Sequence, residues 1–199
     1  MNADLQRLGK WFTLAATLPL AACLSFGAKP PPTLMSLSAG TAVAVGTTRS
    51  VSATQGISIA IPSVPQSLLT PRVAVQTTPT AIAYLKNAQW VDTPNKLFRN
   101  LLAEVIAAKT GRVVADSRNF SVAPETRLNG RLLNFGLDAP SQNVVVTYDA
   151  ALVRSEGGPV ETRRFEARAP ISSEKGPAIA QALNDAANQV ATEVARWVG

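Results

Sequence analysis

The chain contains no histidine and only one cysteine. Without histidine, it lacks the usual proton shuttle of hydrolases and the commonest transition-metal ligand. A lone cysteine has no partner for an intrachain disulfide. The sequence also has no Gly-x-Ser-x-Gly nucleophile motif and no glycine-rich phosphate loop. These absences predict a protein that is not an enzyme, with no catalytic residue, no metal site and no cofactor.

Carboxylates offer the one enzymatic alternative. The four candidate catalytic carboxylates are Asp92, Asp116, Glu125 and Asp138. They lie in predicted loops or at the ends of predicted elements, and their spacing does not predict that any two of them form a pair. Helix capping and surface solvation explain them better than a carboxylate-dyad hydrolase does. The formal net charge is +6 and is spread along the chain without a run of lysine or arginine. This suits an anionic membrane surface or an acidic partner and argues against nucleic acid.

The N-terminal segment has the organisation of a secretory signal. Arg7 and Lys10 precede an apolar run over residues 11–22, which ends in Leu-Ala-Ala directly before Cys23. The run is too short for a membrane-spanning helix. The pattern predicts a lipoprotein signal peptide at residues 1–22, with cleavage before Cys23 and acyl chains such as palmitate on that cysteine. There are two alternatives. One is an ordinary signal peptide that is cleaved near Ala21 or Ala22, in which case Cys23 has no special role. The other is an N-terminal helix that belongs to the core.

Leu24 follows the cysteine. Bacterial lipoproteins retained in the inner membrane commonly carry aspartate there, so resemblance to lipoproteins implies the outer membrane, facing the periplasm. Residues 23–55 are rich in Pro, Ser, Thr and Ala and predict a tether with a possible early strand near residues 34–37. Residues 56–199 predict one folded domain.

Periodicity divides that domain into strands and helices. Pro94 and Gly111 bound a helix in which Thr93 is the expected cap, and a second helix is expected over residues 174–197, started by Ser172 or Ser173. Short β-branched runs predict strands over residues 56–61, 72–76, 80–85, 112–115, 126–135, 143–154 and 160–169. The order predicts a single layered α/β (α+β) domain, a mixed sheet with two long amphipathic helices packed on it.

Two surface features are candidates for partner contact or packing. Arg163 and Arg164 lie on the last predicted strand, among charges of alternating sign. Such a pattern usually indicates a solvent-exposed face or an edge strand protected against aggregation. The more specific hypothesis is a docking face for an acidic partner. Tyr84 and Trp90 flank a strand end before the first helix, where aromatics are more often a core corner than a ligand site.

The stretch from Tyr84 through Trp90 to Pro94, leading into a leucine-rich helix, resembles the ABC-type transport auxiliary lipoproteins, which include the paraquat-inducible lipoprotein. Members of this family also have a short valine-containing strand after that helix, here at Val113, and a long last helix that ends near a tryptophan, here Trp197. The resemblance implies a non-catalytic subunit of a lipid-transport system that docks a mammalian-cell-entry-domain protein at the outer membrane. Its other partners would be the ABC permease and ATPase, and it would form a homo-oligomer. The alternative is a periplasm-facing carrier or assembly factor that binds lipid or lipopolysaccharide directly.

Overall fold

The computed structural model describes residues 33–49, 56–115 and 124–199. The predicted signal peptide, Cys23 and Asp116 lie outside these ranges, so the expectations that concern them stay predictions. Within the described ranges, neither helix combines the length and the apolar character that crossing a bilayer requires.

The predicted architecture is confirmed: among the residues that the structure describes, seven strands form one mixed sheet, and two long helices accompany it. The elements are β1 (Gly56–Ile59), β2 (Arg72–Thr78), β3 (Ala81–Gln89), α1 (Pro94–Thr110), β4 (Val113–Ala115), β5 (Thr126–Asp138), β6 (Asn143–Val153), β7 (Val160–Pro170) and α2 (Gly176–Val198). A short 3-10 helix, Gln66–Leu68, separates β1 from β2 and was not predicted from the sequence.

Strand β5 is the axis of the sheet. Along one side it pairs antiparallel with the whole of β6, which in turn pairs with β7. Its other side is shared by two parallel neighbours: β1 near the start, with Ile57 opposite Thr126, and β2 near the end, with Ala74 opposite Gly136. Strand β3 pairs antiparallel with β2, and β4 pairs parallel with β1. Strands β3 and β7 therefore lie on opposite sides of the sheet.

The helix boundaries follow local chemistry only in part. Pro94 begins α1, and Gly111 ends it with a left-handed φ of 73°, as the sequence predicts. Thr93 stands at the N-cap but makes no side-chain cap hydrogen bond. Helix α2 begins at Gly176 with Lys175 at the N-cap, so neither Ser172 nor Ser173 caps it. Pro177 takes the first-turn position where a missing N–H has no cost.

The core lies between the helices and one face of the sheet. Helix α2 packs along β6 and β7, and α1 packs beside α2 near β1 and β4. Phe98 of α1 meets Tyr148 of β6 edge to face, with ring centroids 5.2 Å apart. Alternation along β7 buries Phe165 and Ala167 and turns their neighbours outward. The opposite face of β5–β7 therefore carries most of their charged side chains, including Arg164, Glu166 and Arg168 of β7.

Candidate docking surfaces and the strap

Residues 33–49, here called the strap, lie against the folded domain, although the sequence analysis assigns them to the tether. The strap begins with an isolated parallel β-bridge between Met35 and Trp90, where the predicted early strand was expected. The Met35 amide donates to the Gln89 carbonyl at 2.8 Å, and the Val91 amide donates to the Met35 carbonyl at 2.8 Å. This bridge fixes the point at which the N-terminal part of the chain enters the domain.

Two asparagines of α2 then hold the strap by its backbone. The Asn188 side chain donates from Nδ2 to the Ser38 carbonyl at 2.9 Å and accepts at Oδ1 from the Gly40 amide at 2.7 Å. Asn184 Oδ1 accepts from the Ser38 amide at 2.8 Å. The Asn188 amide thus pairs with the strap as a neighbouring strand would, and it does so whatever side chains the strap carries.

Helix α1 holds the other half of the strap. The Val43 amide donates to Glu104 Oε1 at 2.7 Å, and Arg49 Nη1 donates to the Ala107 carbonyl at 2.7 Å. These polar residues lie on the side of each helix that faces away from the core, where helical periodicity predicts contact with solvent. The available signal was the spacing of Asn184 and Asn188, which puts two uncharged amides on one face of α2.

Trp90 and Tyr84 lie beneath and beside the strap entry. Trp90 is only 1% exposed and meets Phe135 edge to face, with centroids 5.6 Å apart. Among the described residues, its Nε1 has no hydrogen-bond partner. Tyr84 is half-buried: its hydroxyl donates to the Ser67 carbonyl at 3.2 Å, and the Arg72 guanidinium lies 4.2 Å from its ring. Both aromatics therefore pack within the domain.

Arg163 and Arg164 lie on opposite faces of β7, because neighbouring strand residues alternate. Arg164 binds Asp149 through two hydrogen bonds, Nε to Oδ1 at 2.6 Å and Nη2 to Oδ2 at 2.7 Å. This contact lowers the pKa of Asp149 and raises the pKa of Arg164. Arg163 instead lies 5.0 Å from the Phe165 ring, on the helix side. Arg164 is thus neutralised on the outer face of the sheet, and Arg163 remains a cation on the helix side. The edge of the sheet that carries these two arginines is here called the β7 side, and it lies away from Tyr84 and Trp90.

The outer face of β5–β7 continues as a network of charged and polar groups. Thr147 Oγ1 donates to Glu166 Oε2 at 2.9 Å, and this bond, with help from Arg168, lowers the pKa of Glu166. Arg168 Nε binds Glu166 Oε1 at 3.0 Å, and its Nη1 lies 3.7 Å from Asp138 Oδ2. Exposed pairs of this kind stabilise a fold little, so they mainly keep the face soluble and guard the β7 edge.

Within the described ranges no three Asp, Glu, His or Cys side chains come together as metal ligands would. Asp92 accepts from the Thr93 amide at 2.7 Å and pairs with Lys96 at 3.1 Å, and these contacts lower its pKa. Asp138 accepts instead from the Ser141 hydroxyl at 2.6 Å. Each of these two carboxylates is thus engaged locally by its own neighbours.

Comparison with known proteins identifies the family. The family model described as the ABC-type transport auxiliary lipoprotein component matches residues 36–195, and the chain belongs to this family. No curated protein matches it significantly. One similar crystal structure, of an uncharacterised protein, has a TM-score of 0.64 at 20% identity and covers 73% of this chain and 93% of its own. Another, of a Xanthomonas campestris protein from the family DUF330, has a TM-score of 0.61 at 25% identity, covering 71% and 82% respectively.

Proposed function

We propose that this auxiliary lipoprotein is a non-catalytic docking subunit of a lipid-transport system, anchored through Cys23 in the outer membrane and facing the periplasm. It would connect a mammalian-cell-entry-domain protein, served by an ABC permease and ATPase, to that membrane, and it would work as a homo-oligomer. Membership of the ABC-type transport auxiliary family carries the proposal, because it supplies the transporter as the partner.

The strap supports the anchoring part of this proposal. A docking subunit has to pass the position of its membrane tether to its folded domain. Here the first described residues are bonded to the end of β3, to both asparagines of α2 and to Glu104 of α1. Because the strap is held in this way, a tether that starts at Cys23 would join the domain at one fixed point, the strap entry.

The β7 side supports the docking part. Arg163 places a cation over the Phe165 ring on the helix side of the sheet edge, and no carboxylate of the described residues pairs with it. Trp197 packs against the same ring, with centroids 5.6 Å apart. Arginine and aromatic residues are enriched at protein–protein contact sites, and a cation favours an acidic partner. Arg164 is less suited, because Asp149 already neutralises it.

Anchoring is tested with the wild-type chain and Cys23→Ser. Mass spectrometry of the mature N-terminus and density-gradient separation of the membranes should find acylated Cys23 in the outer-membrane fraction. The serine variant should leave that fraction. Unmodified wild-type protein in the periplasmic fraction would contradict the anchor.

Docking is tested by crosslinking in intact cells, followed by purification of the chain and identification of bound proteins. A mammalian-cell-entry-domain protein should be recovered with the wild type, and Arg163→Glu should reduce its recovery several-fold. Arg196→Glu, the same charge change at an exposed position of α2, is the matched control and should have little effect. Failure to recover such a partner from the wild type would contradict docking even if Cys23 is acylated.

A further inference from the structure

The strap entry presents apolar side chains to solvent. In the parallel bridge, Met35 and Trp90 point inward together, so the flanking residues point outward. Leu34 and Val91 are two such residues, and they are 51% and 53% exposed. They lie on adjacent chain segments, because the Met35 carbonyl accepts the Val91 amide. Single exposed apolar residues are ordinary, but here two share one small outward face.

A groove of about 420 Å³ opens beside this face. No charged residue of the described ranges lines it, and the apolar part of its lining is Leu34, Met35, Ala88, Pro177 and Ala180. Polar groups such as Asn184 and Gln181 complete the wall. A surface with an apolar centre and an uncharged polar rim fits the boundary between lipid headgroups and acyl chains.

The charges near this surface favour an anionic bilayer. Lys86 directly precedes the groove residues of β3, and Lys175 directly precedes those of α2; both are exposed. Asp92 pairs with Lys96, and Glu174 keeps its charge while accepting from the uncharged Gln142 side chain at 3.3 Å. Three lysines thus lie near two acids, and the positive excess strengthens binding to an anionic membrane.

The length of chain before the strap decides which occupant is within reach. Thr33, the first described residue, forms part of the groove wall, and it is ten residues from Cys23. A chain of that length spans at most about 35 Å. A membrane that holds Cys23 therefore lies within about 35 Å of this corner, which is the part of the domain nearest to the anchor along the chain. A short tether gives an effective concentration in the millimolar range, so a weak surface is sufficient.

We propose that Leu34, Val91 and the adjoining groove form a membrane-contact surface that seats the domain on the anionic bilayer carrying its anchor. The proposal rests on the anchoring at Cys23 proposed above. It goes further by assigning an orientation: the strap entry faces the lipid, and the β7 side of the sheet is left free for protein partners.

The test uses residues 23–199, coupled through the thiol of Cys23 to a maleimide lipid in phosphatidylethanolamine/phosphatidylglycerol vesicles with brominated acyl chains. Because Cys23 is the only cysteine, coupling is site-specific and does not depend on whether cells acylate it. Tryptophan replaces Leu34 or Val91, and because the chain already carries Trp90 and Trp197, quenching of each added tryptophan is the difference from the unsubstituted chain. Ile82→Trp and Val160→Trp are the controls, since those residues are 49% and 60% exposed, Ile82 at the far end of β3 and Val160 on β7.

Emission from Leu34→Trp and Val91→Trp should fall about twofold on brominated vesicles, because an interfacial residue lies within about 5–10 Å of the acyl chains. The two controls should change little. The effect should weaken on zwitterionic phosphatidylcholine vesicles. Equal quenching at all four positions would mean that no particular face is seated, and absence of quenching at 34 and 91 would leave this surface to a protein partner. Either result overturns the proposal.

The unsubstituted chain gives an independent measurement. Amide hydrogen exchange at residues 33–36 and 89–91 should slow when the protein is coupled to vesicles, compared with the same protein coupled to a soluble maleimide. Unchanged exchange there would contradict the membrane contact even if a tryptophan variant failed to fold.

Discussion

Replacing Asn188 by alanine is expected to release the strap from α2 without unfolding the domain. The side chain makes two hydrogen bonds to the strap backbone, of 2.7 Å with Gly40 and 2.9 Å with Ser38. At a net 0.5–1.5 kcal/mol each, their loss costs about 1–3 kcal/mol of local stability. This corresponds to roughly fivefold to 150-fold more frequent opening of the strap. The core of α2 is unaffected, because Asn188 is on its outer side.

Hydrogen exchange followed by mass spectrometry measures this opening directly. Amides of residues 38–43 should exchange faster in Asn188→Ala, while those of β5 and β6 keep their protection. Gln189→Ala is the matched control, since Gln189 is exposed and its one side-chain hydrogen bond within the described part of the chain is to Glu193 of its own helix, at 3.2 Å. Equal exchange of residues 38–43 in the wild type and Asn188→Ala would refute the clamp, as would an equal acceleration in the control.

Three further predictions concern stability. Gly136→Ala should destabilise the domain by about 1–3 kcal/mol in chemical denaturation, because the new Cβ would collide with the Ala74 carbonyl oxygen across β2 and β5; a neutral result would contradict that packing. Trp90→Ala should cost about 3–5 kcal/mol, as for other fully buried aromatics, and much more than an alanine at the partly buried Trp197. The pKa of Asp149 is lower in the folded protein than its ordinary value of 3.8, so its contribution to the free energy of unfolding is fully present above pH 3.8 and is lost as the pH falls through the folded pKa. Asp149→Asn should therefore make stability, measured by chemical denaturation at a series of acidic pH values, fall less steeply as the pH is lowered.

Much of the fold could be predicted, because its signals are local. Pro94 and Gly111 bound α1 where their backbone preferences require, and the glycines before Val160 mark the β6–β7 turn. The ends of the strands were predicted less accurately. The β5 strand was expected to end at Phe135, but it continues to Asp138 because β2 pairs with its last residues. Pairing with a strand distant in sequence leaves no local signal.

The strap could not be predicted from periodicity. An amphipathic pattern shows which side of a helix is buried in the core, but it does not show what lies over the polar side. Asn184 and Asn188 look like solvated residues until another segment is placed above them. The opposite placement of Arg163 and Arg164 was, by contrast, available from the two-residue period of a strand. Neighbouring residues on a strand cannot share one docking face.

The electrostatics of the domain agree with a role carried by surfaces. The carboxylates with a resolved pKa shift among the described residues are Asp92, Asp149 and Glu166, and each pKa is lowered by a donor beside it. A general acid or base near neutral pH needs a carboxyl pKa that is raised by burial or by a second carboxylate. The lowered pKa values, caused first by the Thr93 amide at Asp92, by Arg164 at Asp149 and by the Thr147 hydroxyl at Glu166, keep these carboxylates charged throughout the physiological range. We therefore expect function to respond most to substitutions in three surface regions: the strap, the strap entry and the β7 side.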